Sequence, residues 1–285
     1  MRVLITGAGG MLGTAVQRAA PSAVRLVALG HADLAIEDAG AVERALARER
    51  PAWIVNCAAY TQVDRAEAEP EMAQRVNAVG PANLARAARQ IGTRLLHIST
   101  DYVFDGRATR PYREDAPVGP LSVYGRSKLA GEQNVRELLP DGHLIVRTQW
   151  LFGVGGPNFV ATILRLAGER PRLQVVNDQH GRPTYAADLA TALWKLIAGN
   201  ARGTVHCTNE GAATWFDVAT AVVAAAGLVT AVEPCATGEM PRPARRPQFS
   251  VLDCRRYQGI VGSSLRPWQP ALREYVALAS KQLTP

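Results

Sequence analysis

The chain has 285 residues, of which 47% are hydrophobic and 20% are charged, the composition of a globular protein with a large core. That length exceeds a typical single domain, so one large domain or two unequal lobes are both possible. The formal net charge of +7 favours an anionic ligand. However, the excess is arginine scattered along the chain, without the aromatic and basic clusters of nucleic-acid-binding proteins. We therefore do not expect nucleic acid as a partner. Nor do we expect a membrane, since no apolar stretch is typical of a signal peptide or a membrane span.

The cysteines give no sign of a metal site. None belongs to a C-x-x-C motif, and none has histidine partners at the spacing of a zinc site. We expect reduced thiols, a cytoplasmic location and no bound metal. The four residues are Cys57, Cys207, Cys235 and Cys254.

Short apolar runs alternate with helical patterns through the first half of the chain. Because the runs are continuous and rich in leucine or β-branched residues, they indicate a parallel sheet that helices cover on both faces. The predicted fold class is therefore α/β, a doubly wound parallel sheet of the Rossmann type. The predicted strands are 3–5, 25–28, 53–55, 94–98 and 144–146, and the predicted helices are 12–20, 38–50, 70–90 and one that carries 123–132.

Beyond the last of these strands the pattern loosens, and glycine and proline become frequent. Two helical runs, 186–197 and 215–226, interrupt this part of the chain. It is typical of a smaller C-terminal lobe that is interleaved with the end of the first domain. We expect residues 1–150 to form the first domain, with a later contribution from about 175–200. Residues 151–285 are expected to form mainly the smaller lobe.

The motif GAGGMLG, residues 7–13, follows the first predicted strand and opens the first predicted helix. Its glycines Gly7, Gly10 and Gly13 allow a positive φ, a close approach of backbone to a pyrophosphate, and close packing of helix on strand. Free N–H groups at the start of the helix then bind phosphates. A glycine turn without a ligand is the alternative, but the position between strand and helix favours a dinucleotide site. We therefore expect residues 1–150, with the contribution from about 175–200, to be the NAD(P)-binding domain and residues 151–285 to be mainly the substrate-binding lobe.

The end of the second predicted strand bears on the choice of cofactor. An acidic residue there would accept hydrogen bonds from a ribose 2′-hydroxyl and favour NAD. Gly30 and His31 occupy this place, and Asp33 follows in the loop near the adenine. Without a carboxylate at the strand end, repulsion of a 2′-phosphate is removed, so NADPH is tolerated. His31 is either a phosphate ligand or an exposed loop residue.

Polar and small residues follow the third and fourth predicted strands, where ligands of α/β sheets bind. NCAAYT, residues 56–61, would let a cofactor ribose lie against the strand ends, or would only allow close helix packing. Thr100 could hydrogen-bond a substrate carbonyl, and Asp101 a sugar hydroxyl. Alternatively, either residue closes the strand through a side-chain turn.

The segment VYGRSKLAGE, residues 123–132, places Tyr124 four residues before Lys128, one of only three lysines in the chain. On a helix the two side chains share a face, and we expect the ammonium to lower the pKa of the phenol. A tyrosine that packs on an aliphatic lysine stem is the alternative. Together with Thr100, which would polarise a carbonyl, and a nicotinamide that gives hydride, the pair predicts carbonyl reduction with Tyr124 as proton donor.

Taken together, these motifs make the chain resemble the dTDP-4-dehydrorhamnose reductase family of extended short-chain dehydrogenases/reductases. The resemblance runs from Met1 through at least Leu252. It implies reduction of the 4-keto group of dTDP-4-dehydro-L-rhamnose by NADPH, with NADH possible. The motifs that carry it are GAGGMLG, NCAAYTQVDRAE, STDYVFDG, VYGRSKLAGE, RTQWLFGVGGPNF, NDQHGRPT and RPQFSVLD.

The resemblance also assigns roles to single residues. Tyr124 is the proton donor and Lys128 its partner, while Arg246 could bind a diphosphate bidentately or be an ordinary exposed arginine. Trp150 could stack on the sugar or only pack. With the residues already named, the expected cofactor contacts are Gly7, Gly10, Met11, Leu12, Gly13, Gly30, His31, Asp33, Leu34, Ala59, Tyr60, Thr61, Ile98, Tyr124 and Lys128. The expected substrate contacts are Thr100, Asp101, Trp150 and Arg246.

The chain departs from the family pattern in two respects. The family often has an acid where Gly30 stands, and its loss shifts the preference towards NADPH or dual use. Some members dimerise through metal-bound carboxylates, but this chain has Thr14-Ala15 and Ala186-Ala187 in those segments. We therefore expect a monomer or a weak homodimer.

Two other functions remain open. One is a reductase or an epimerase of another nucleotide-linked deoxysugar. The other is a non-catalytic NADP-binding subunit that regulates methionine adenosyltransferase. Intact Tyr124, Lys128 and Thr100 argue against the second.

Overall fold

A computed structural model describes the backbone of residues 1–283 and the side chains of residues 1–280. The described strands are β1 (Arg2–Thr6), β2 (Arg25–Leu29), β3 (Trp53–Asn56), β4 (Arg94–Thr100), β5 (His143–Thr148), β6 (Leu151–Phe152), β7 (Arg172–Val176), β8 (His180–Gly181), β9 (Thr184–Tyr185), β10 (Gly203–His206), β11 (Ala213–Thr214) and β12 (Ala231–Cys235). The described helices are α1 (Met11–Arg18), α2 (Ala39–Glu49), α3 (Val63–Ala66), α4 (Pro70–Gln74), α5 (Gly80–Gln90), α6 (Val123–Leu138), α7 (Phe159–Glu169), α8 (Ala186–Ala198), α9 (Trp215–Ala225), α10 (Arg255–Val261) and α11 (Trp268–Leu283).

Six strands form one parallel sheet in the order β10-β5-β4-β3-β1-β2. Since β1 lies between β2 and β3, the winding of the chain reverses there, and the carboxyl ends of β1 and β3 flank a crevice. The last residues of these two strands, Thr6 and Asn56, pair with each other. On the other side of β3, β4 continues three residues beyond this level to Thr100. Ligands of doubly wound sheets bind in such a crevice.

Apolar side chains cover both faces of this sheet. Val3 and Ile5 of β1 pack in one cluster with residues of α1 and α8, while Leu4 packs in another with residues of α2, α5 and α6. This alternation follows from the twofold period of a strand. The predicted fold class, a doubly wound parallel α/β sheet, is confirmed.

The chain after β5 builds a second core and also returns to the first sheet. The second core unites α7, α9 and α11 with the short pairs β7–β12 and β6–β9, and it is rich in aromatic residues such as Phe152, Tyr185 and Tyr275. Between these elements, α8 packs on α1 and β10 pairs with β5. The first region, which is the six-stranded sheet with its covering helices, and the second region, which is the second core, are therefore interleaved in sequence. Their division into cofactor and substrate parts stays a prediction.

The structure contains helices that the periodicity did not predict, namely α3, α7, α10 and α11. α7 follows directly on the glycine-rich segment GVGGPN, which hid its start. Its cap is nevertheless regular, since Asn158 accepts a hydrogen bond from the Ala161 N–H at 2.9 Å. The predicted helix 70–90 contains a π turn at Arg75–Val79. Among the described helices, none is long and apolar enough to cross a membrane.

Candidate active site

The glycine turn after β1 brings three pieces of backbone together. Gly7 has a φ of +66°, and a Cβ on it would lie 2.5 Å from the nitrogen of Ala58 in the loop after β3. A Cβ on Gly13 would lie 2.2 Å from the Gly7 carbonyl oxygen, so α1 packs directly on the turn. Neither position can hold a larger residue unless the backbone moves.

The N-terminus of α1 lies at the same crevice. Gly10 is the N-cap residue, and no described side chain caps the first turn. The N–H groups of Met11, Leu12 and Gly13 are therefore available to an anion, which the helix dipole also favours. A tight backbone cradle with uncapped donors fits the pyrophosphate of a dinucleotide.

The loop after β2 is closed by its own acid. Asp33 Oδ2 accepts a hydrogen bond from the Gly30 N–H at 2.9 Å, so this carboxylate turns back to the strand end. The His31 side chain is 79% exposed, and its Nε2 lies 3.5 Å from Glu37 Oε1. The Leu34 side chain is buried in the core beneath. A cofactor could therefore contact the backbone of Leu34 but not its side chain.

A buried asparagine fixes the loop after β3, which contains Ala59, Tyr60 and Thr61. Asn77 Oδ1 accepts from the Tyr60 N–H at 2.9 Å, and Asn77 Nδ2 donates to the Tyr60 carbonyl and to Ser127 Oγ, both at 3.0 Å. Asn77 belongs to the π turn and is 1% exposed. Asn77 therefore links the loop after β3 to α6.

Tyr124 and Lys128 both lie on α6, one turn apart as predicted. Lys128 is 2% exposed, and its Nζ donates a hydrogen bond to the Ile98 carbonyl of β4 at 2.6 Å. Burial lowers the pKa of Lys128 to about 8, although the Glu132 carboxylate acts in the opposite direction. Lys128 is thus held at the carboxyl end of β4, and its pKa of about 8 lies close to neutral pH.

The pKa of Tyr124 differs from the expectation. Burial raises it to about 12; a hydrogen bond with Thr100 lowers it, and the Asp101 carboxylate raises it further. The prediction that Lys128 lowers this pKa is therefore wrong for this structure, because burial dominates and the ammonium is directed to the Ile98 carbonyl. A phenol with a raised pKa stays protonated at neutral pH, as a proton donor requires.

Thr100 and Asp101 meet groups from distant parts of the chain. Thr100 Oγ1 donates to Asp101 Oδ1 at 3.1 Å and also accepts from the Tyr102 N–H, so the strand-closing alternative is present too. Gln149 Nε2 donates to Asp101 Oδ2 at 3.3 Å and to the Ser250 carbonyl at 3.0 Å. Burial raises the pKa of Asp101 to about 6, against the hydrogen bonds that it accepts.

A cavity of about 830 Å³ lies beside this strand end and is lined by both regions of the molecule. Tyr102 belongs to its lining, and the Tyr102 ring meets the Tyr124 ring edge-on with centroids 5.4 Å apart. The cavity thus adjoins Tyr124. Its lining combines apolar and aromatic side chains with the arginines Arg107, Arg242, Arg245 and Arg246.

Arg246 lines the cavity, but its guanidinium has a partner. Its Nη1 and Nη2 donate to Asp64 Oδ1 and Oδ2 at 3.0 and 2.9 Å, a bidentate ion pair between the two regions. A diphosphate would have to share or replace this carboxylate. The ion pair also links the loop between β12 and α10, which carries Arg246, to α3.

Trp150 packs on other residues of the second region. It has a φ of +49°, and its ring stacks on Trp215 with centroids 3.6 Å apart. A Cβ on Gly181 would lie 2.5 Å from the indole, so this glycine makes room for it. One face of Trp150 is therefore occupied, and Trp215 is the member of the stack that lines the cavity.

The structure thus brings Tyr124, Lys128, Thr100, Asp101 and Ile98 together at the end of β4. Sequence reasoning missed Asn77, Gln149, Ser250, Asp64 and Trp215. For Gln149 and Ser250 the segments RTQWLF and RPQFSV carried a signal, since both resemble family motifs. Asn77 lay within a predicted continuous helix and carried none.

Comparisons with known proteins show which family the chain is similar to. The family model for the RmlD substrate binding domain matches residues 1–280. The chain is 49% identical to the dTDP-4-dehydrorhamnose reductase of Streptomyces griseus, over 96% of this chain and 92% of that protein. Among solved structures, it is similar to the dTDP-4-dehydrorhamnose reductase of Clostridium acetobutylicum, with a TM-score of 0.95, 41% identity and coverage of 98% of this chain and 100% of that one. The enzyme of the same name from Bacillus anthracis, solved in complex with NADP, gives a TM-score of 0.94 at 38% identity, over 97% of this chain and 99% of that one.

Proposed function

The chain belongs to the RmlD substrate binding domain family, that of the dTDP-4-dehydrorhamnose reductases, and we propose that it reduces the 4-keto group of dTDP-4-dehydro-L-rhamnose to give dTDP-L-rhamnose. It is an NAD(P)H-dependent oxidoreductase, with NADPH as cofactor and NADH as a possible substitute. One observation carries the proposal: a buried lysine and a buried, protonated tyrosine lie one helical turn apart at the carboxyl end of β4.

The glycine turn and the first turn of α1 would hold the cofactor pyrophosphate. Uncapped N–H groups at Met11, Leu12 and Gly13 support this assignment. Gly30 and His31 would face the adenosine end, where Asp33 is already bonded to the Gly30 N–H and the strand end offers no further carboxylate among the described residues. The Asp33 carboxylate thus stands at the strand end, and the support for NADPH is the NADP bound in the structure of the Bacillus anthracis relative.

The chain's own residues would move the proton. NADPH, when bound, supplies the hydride that reduces the carbonyl carbon. Tyr124 donates its phenolic proton to the carbonyl oxygen, and Thr100 turns its single hydroxyl hydrogen from Asp101 to the same oxygen. Lys128, cationic below about pH 8, binds the ribose and stabilises the phenolate that Tyr124 leaves behind.

The cavity would take the nucleotide part of the substrate. Its arginines match the two negative charges of a diphosphate, and Trp215 and Phe159 offer flat surfaces to a base. Arg246 would act at the diphosphate once it exchanges part of its contact with Asp64. Asp101 would accept a hydrogen bond from a sugar hydroxyl.

We further propose that the protein works in the cytoplasm as a monomer or weak homodimer, without nucleic acid, membrane or metal as a partner. The four cysteines are free thiols, which supports a reducing compartment.

The decisive experiment is NADPH oxidation, followed by absorbance, with dTDP-4-dehydro-L-rhamnose generated in situ. We expect turnover only when this sugar is present, with dTDP-L-rhamnose as the product identified by NMR. An epimerase would instead retain tightly bound NAD after purification. A regulatory subunit would bind NADP without any turnover. Either of those two results would contradict the proposal.

A further inference from the structure

A buried ion pair lies one turn beyond Lys128 on α6. Glu132 is 0% exposed and Arg147 of β5 is 2% exposed. Arg147 Nε and Nη2 donate to the two oxygens of Glu132 at 2.8 and 2.7 Å, and Arg136 Nη2 donates to one of them at 2.6 Å. Although burial by itself raises the pKa of Glu132, the hydrogen bonds and charge of Arg147 hold it below its ordinary value. A carboxylate therefore persists inside the protein.

Stability alone does not account for such a pair. The desolvation of two charges can cost as much as their attraction returns, and apolar replacements of buried pairs are often neutral or stabilising. The placement of Glu132 is more informative. It follows Lys128 by four residues, so the two side chains point to the same buried side of α6, about 5–6 Å apart at their Cβ atoms.

The titratable groups of β4 and of the loop after β3 that interact with Lys128 carry no negative charge, whereas the Asp101 carboxylate, beyond the end of β4, acts on Tyr124. On β4, burial lowers the pKa of His97 well below its usual value, so the imidazole is neutral. After β3, burial raises the pKa of Cys57 to about 12, so the thiol keeps its proton. On α6, Tyr124 is likewise protonated. Of these described groups, Glu132 is the anion.

We propose that Glu132, held in place by Arg147, is a positioning residue that keeps Lys128 in its cationic form at the carboxyl end of β4. The inference rests on the proposed function, in which the Lys128 ammonium binds the cofactor ribose and stabilises the Tyr124 phenolate. Without a nearby carboxylate, burial favours the neutral amine. Lys128 would then lose its charge at the pH where the enzyme works.

The imidazole beside this ion pair does not titrate near neutral pH, which makes the inference testable. His206, whose Nε2 lies 3.4 Å from Arg147 Nη1, has a pKa lowered to about 3 by burial. A change in titration behaviour between pH 7 and pH 9 at this place therefore reports on Lys128, since Asp101 titrates lower, near pH 6.

Two variants separate the charge of Glu132 from its packing. Glu132→Gln keeps the shape and removes the charge, but leaves Arg147 buried without its partner. The double variant Glu132→Gln with Arg147→Met removes both charges, and such replacements commonly preserve folding. Glu137→Gln, at an exposed position of the same helix, is the matched control.

The readout is the proton on Lys128 itself. The chain has only three lysines, so ¹³C-labelled lysine gives three side-chain NMR signals, and Lys128→Arg identifies the relevant one. We expect the Lys128 signal to titrate at least about one pH unit lower in Glu132→Gln, the effect of losing an opposite charge at this range, and to shift less in the double variant, which also loses the positive charge of Arg147. The cationic fraction at pH 8, and NADPH affinity with it, would fall about fivefold. The control should match the parent.

Several results would overturn the inference. One is a Lys128 titration in Glu132→Gln that equals that of the parent. Another is a parent titration below pH 7, which needs no variant and so holds even if the variants do not fold. If Glu132→Gln alone fails to fold, the double variant is compared with Arg147→Met, from which it differs only in the charge of Glu132, and equal Lys128 titrations in these two would overturn the inference. Because NMR reads the proton and not turnover, absent activity with a shifted Lys128 signal would refute the proposed function only.

Discussion

The two sides of the site hold their polar groups in opposite ways. At the carboxyl end of β4, Thr100, Asp101 and Lys128 are at most 6% exposed, and each is hydrogen-bonded to a neighbour. In the cavity, Arg107, Arg242 and Arg245 are exposed on loops. Burial at the strand end shifts pKa values, whereas exposed charges on loops attract an anion without a fixed geometry. We therefore propose that the chemistry takes place on the buried side and that the substrate is recognised on the open one.

The largest effect should follow a change on the buried side. Tyr124→Phe removes the proton donor and leaves the glycine turn intact. We expect kcat/KM to fall about 10²–10⁴-fold, the usual contribution of a general acid, while NADPH affinity stays within about twofold. Steady-state kinetics and fluorescence titration with NADPH measure the two quantities.

Tyr257→Phe, in the core of the first region, is the matched control and should retain the parental rate. If Tyr124→Phe kept parental turnover, the buried side would not be where the chemistry occurs, and the contrast between the two sides would fail.

A change on the open side should affect substrate binding alone. Arg246→Ala removes a guanidinium whose hydrogen bonds to a charged group are worth about 1.5–3 kcal/mol, so KM for the nucleotide sugar should rise roughly 10–100-fold. The Kd of NADPH should not change. Kinetics at saturating NADPH test the first expectation.

Asp64→Asn sharpens the same point because it weakens the ion pair that occupies Arg246. We expect KM for the sugar to stay equal or to fall. A rise as large as that of Arg246→Ala would show that the pair acts only as a structural link between the regions.

The smallest effect concerns stability. Because burial raises the pKa of Asp101 to about 6, the folded state disfavours the carboxylate. The stability that this acid contributes is full below its unfolded pKa of about 4 and is lost as pH rises through 6. Asp101→Asn should therefore be more stable than the parent at pH 7.5 by about 2 kcal/mol, or roughly 4–8 °C in Tm.

Thermal denaturation at pH 4 and pH 7.5 checks this prediction, since the gain should vanish at the lower pH. An equal Tm difference at pH 4 and pH 7.5 would mean that ionisation of the Asp101 carboxyl group does not destabilise the folded state. Asp101 would then behave like the exposed charges of the open side.

The sequence by itself determined the features that depend on neighbours within about ten residues. The β1 strand, the glycine turn and α1 were predicted from Val3 to Gly13, and the pairing of Tyr124 with Lys128 followed from helical spacing. Such features are local because backbone hydrogen bonds and side-chain periodicity are local. The parallel sheet followed in turn from the order of its elements.

Only the tertiary structure decided the features that depend on burial and on distant partners. The Tyr124 pKa rises because the phenol lies in the interior, and no spacing in the chain encodes that depth. Asp64 and Arg246 are 182 residues apart, and Gln149 meets Ser250 across 101 residues. These contacts arise where the second region folds back on the first, so the charge state and the occupied partners of the site become known only when both regions are in place.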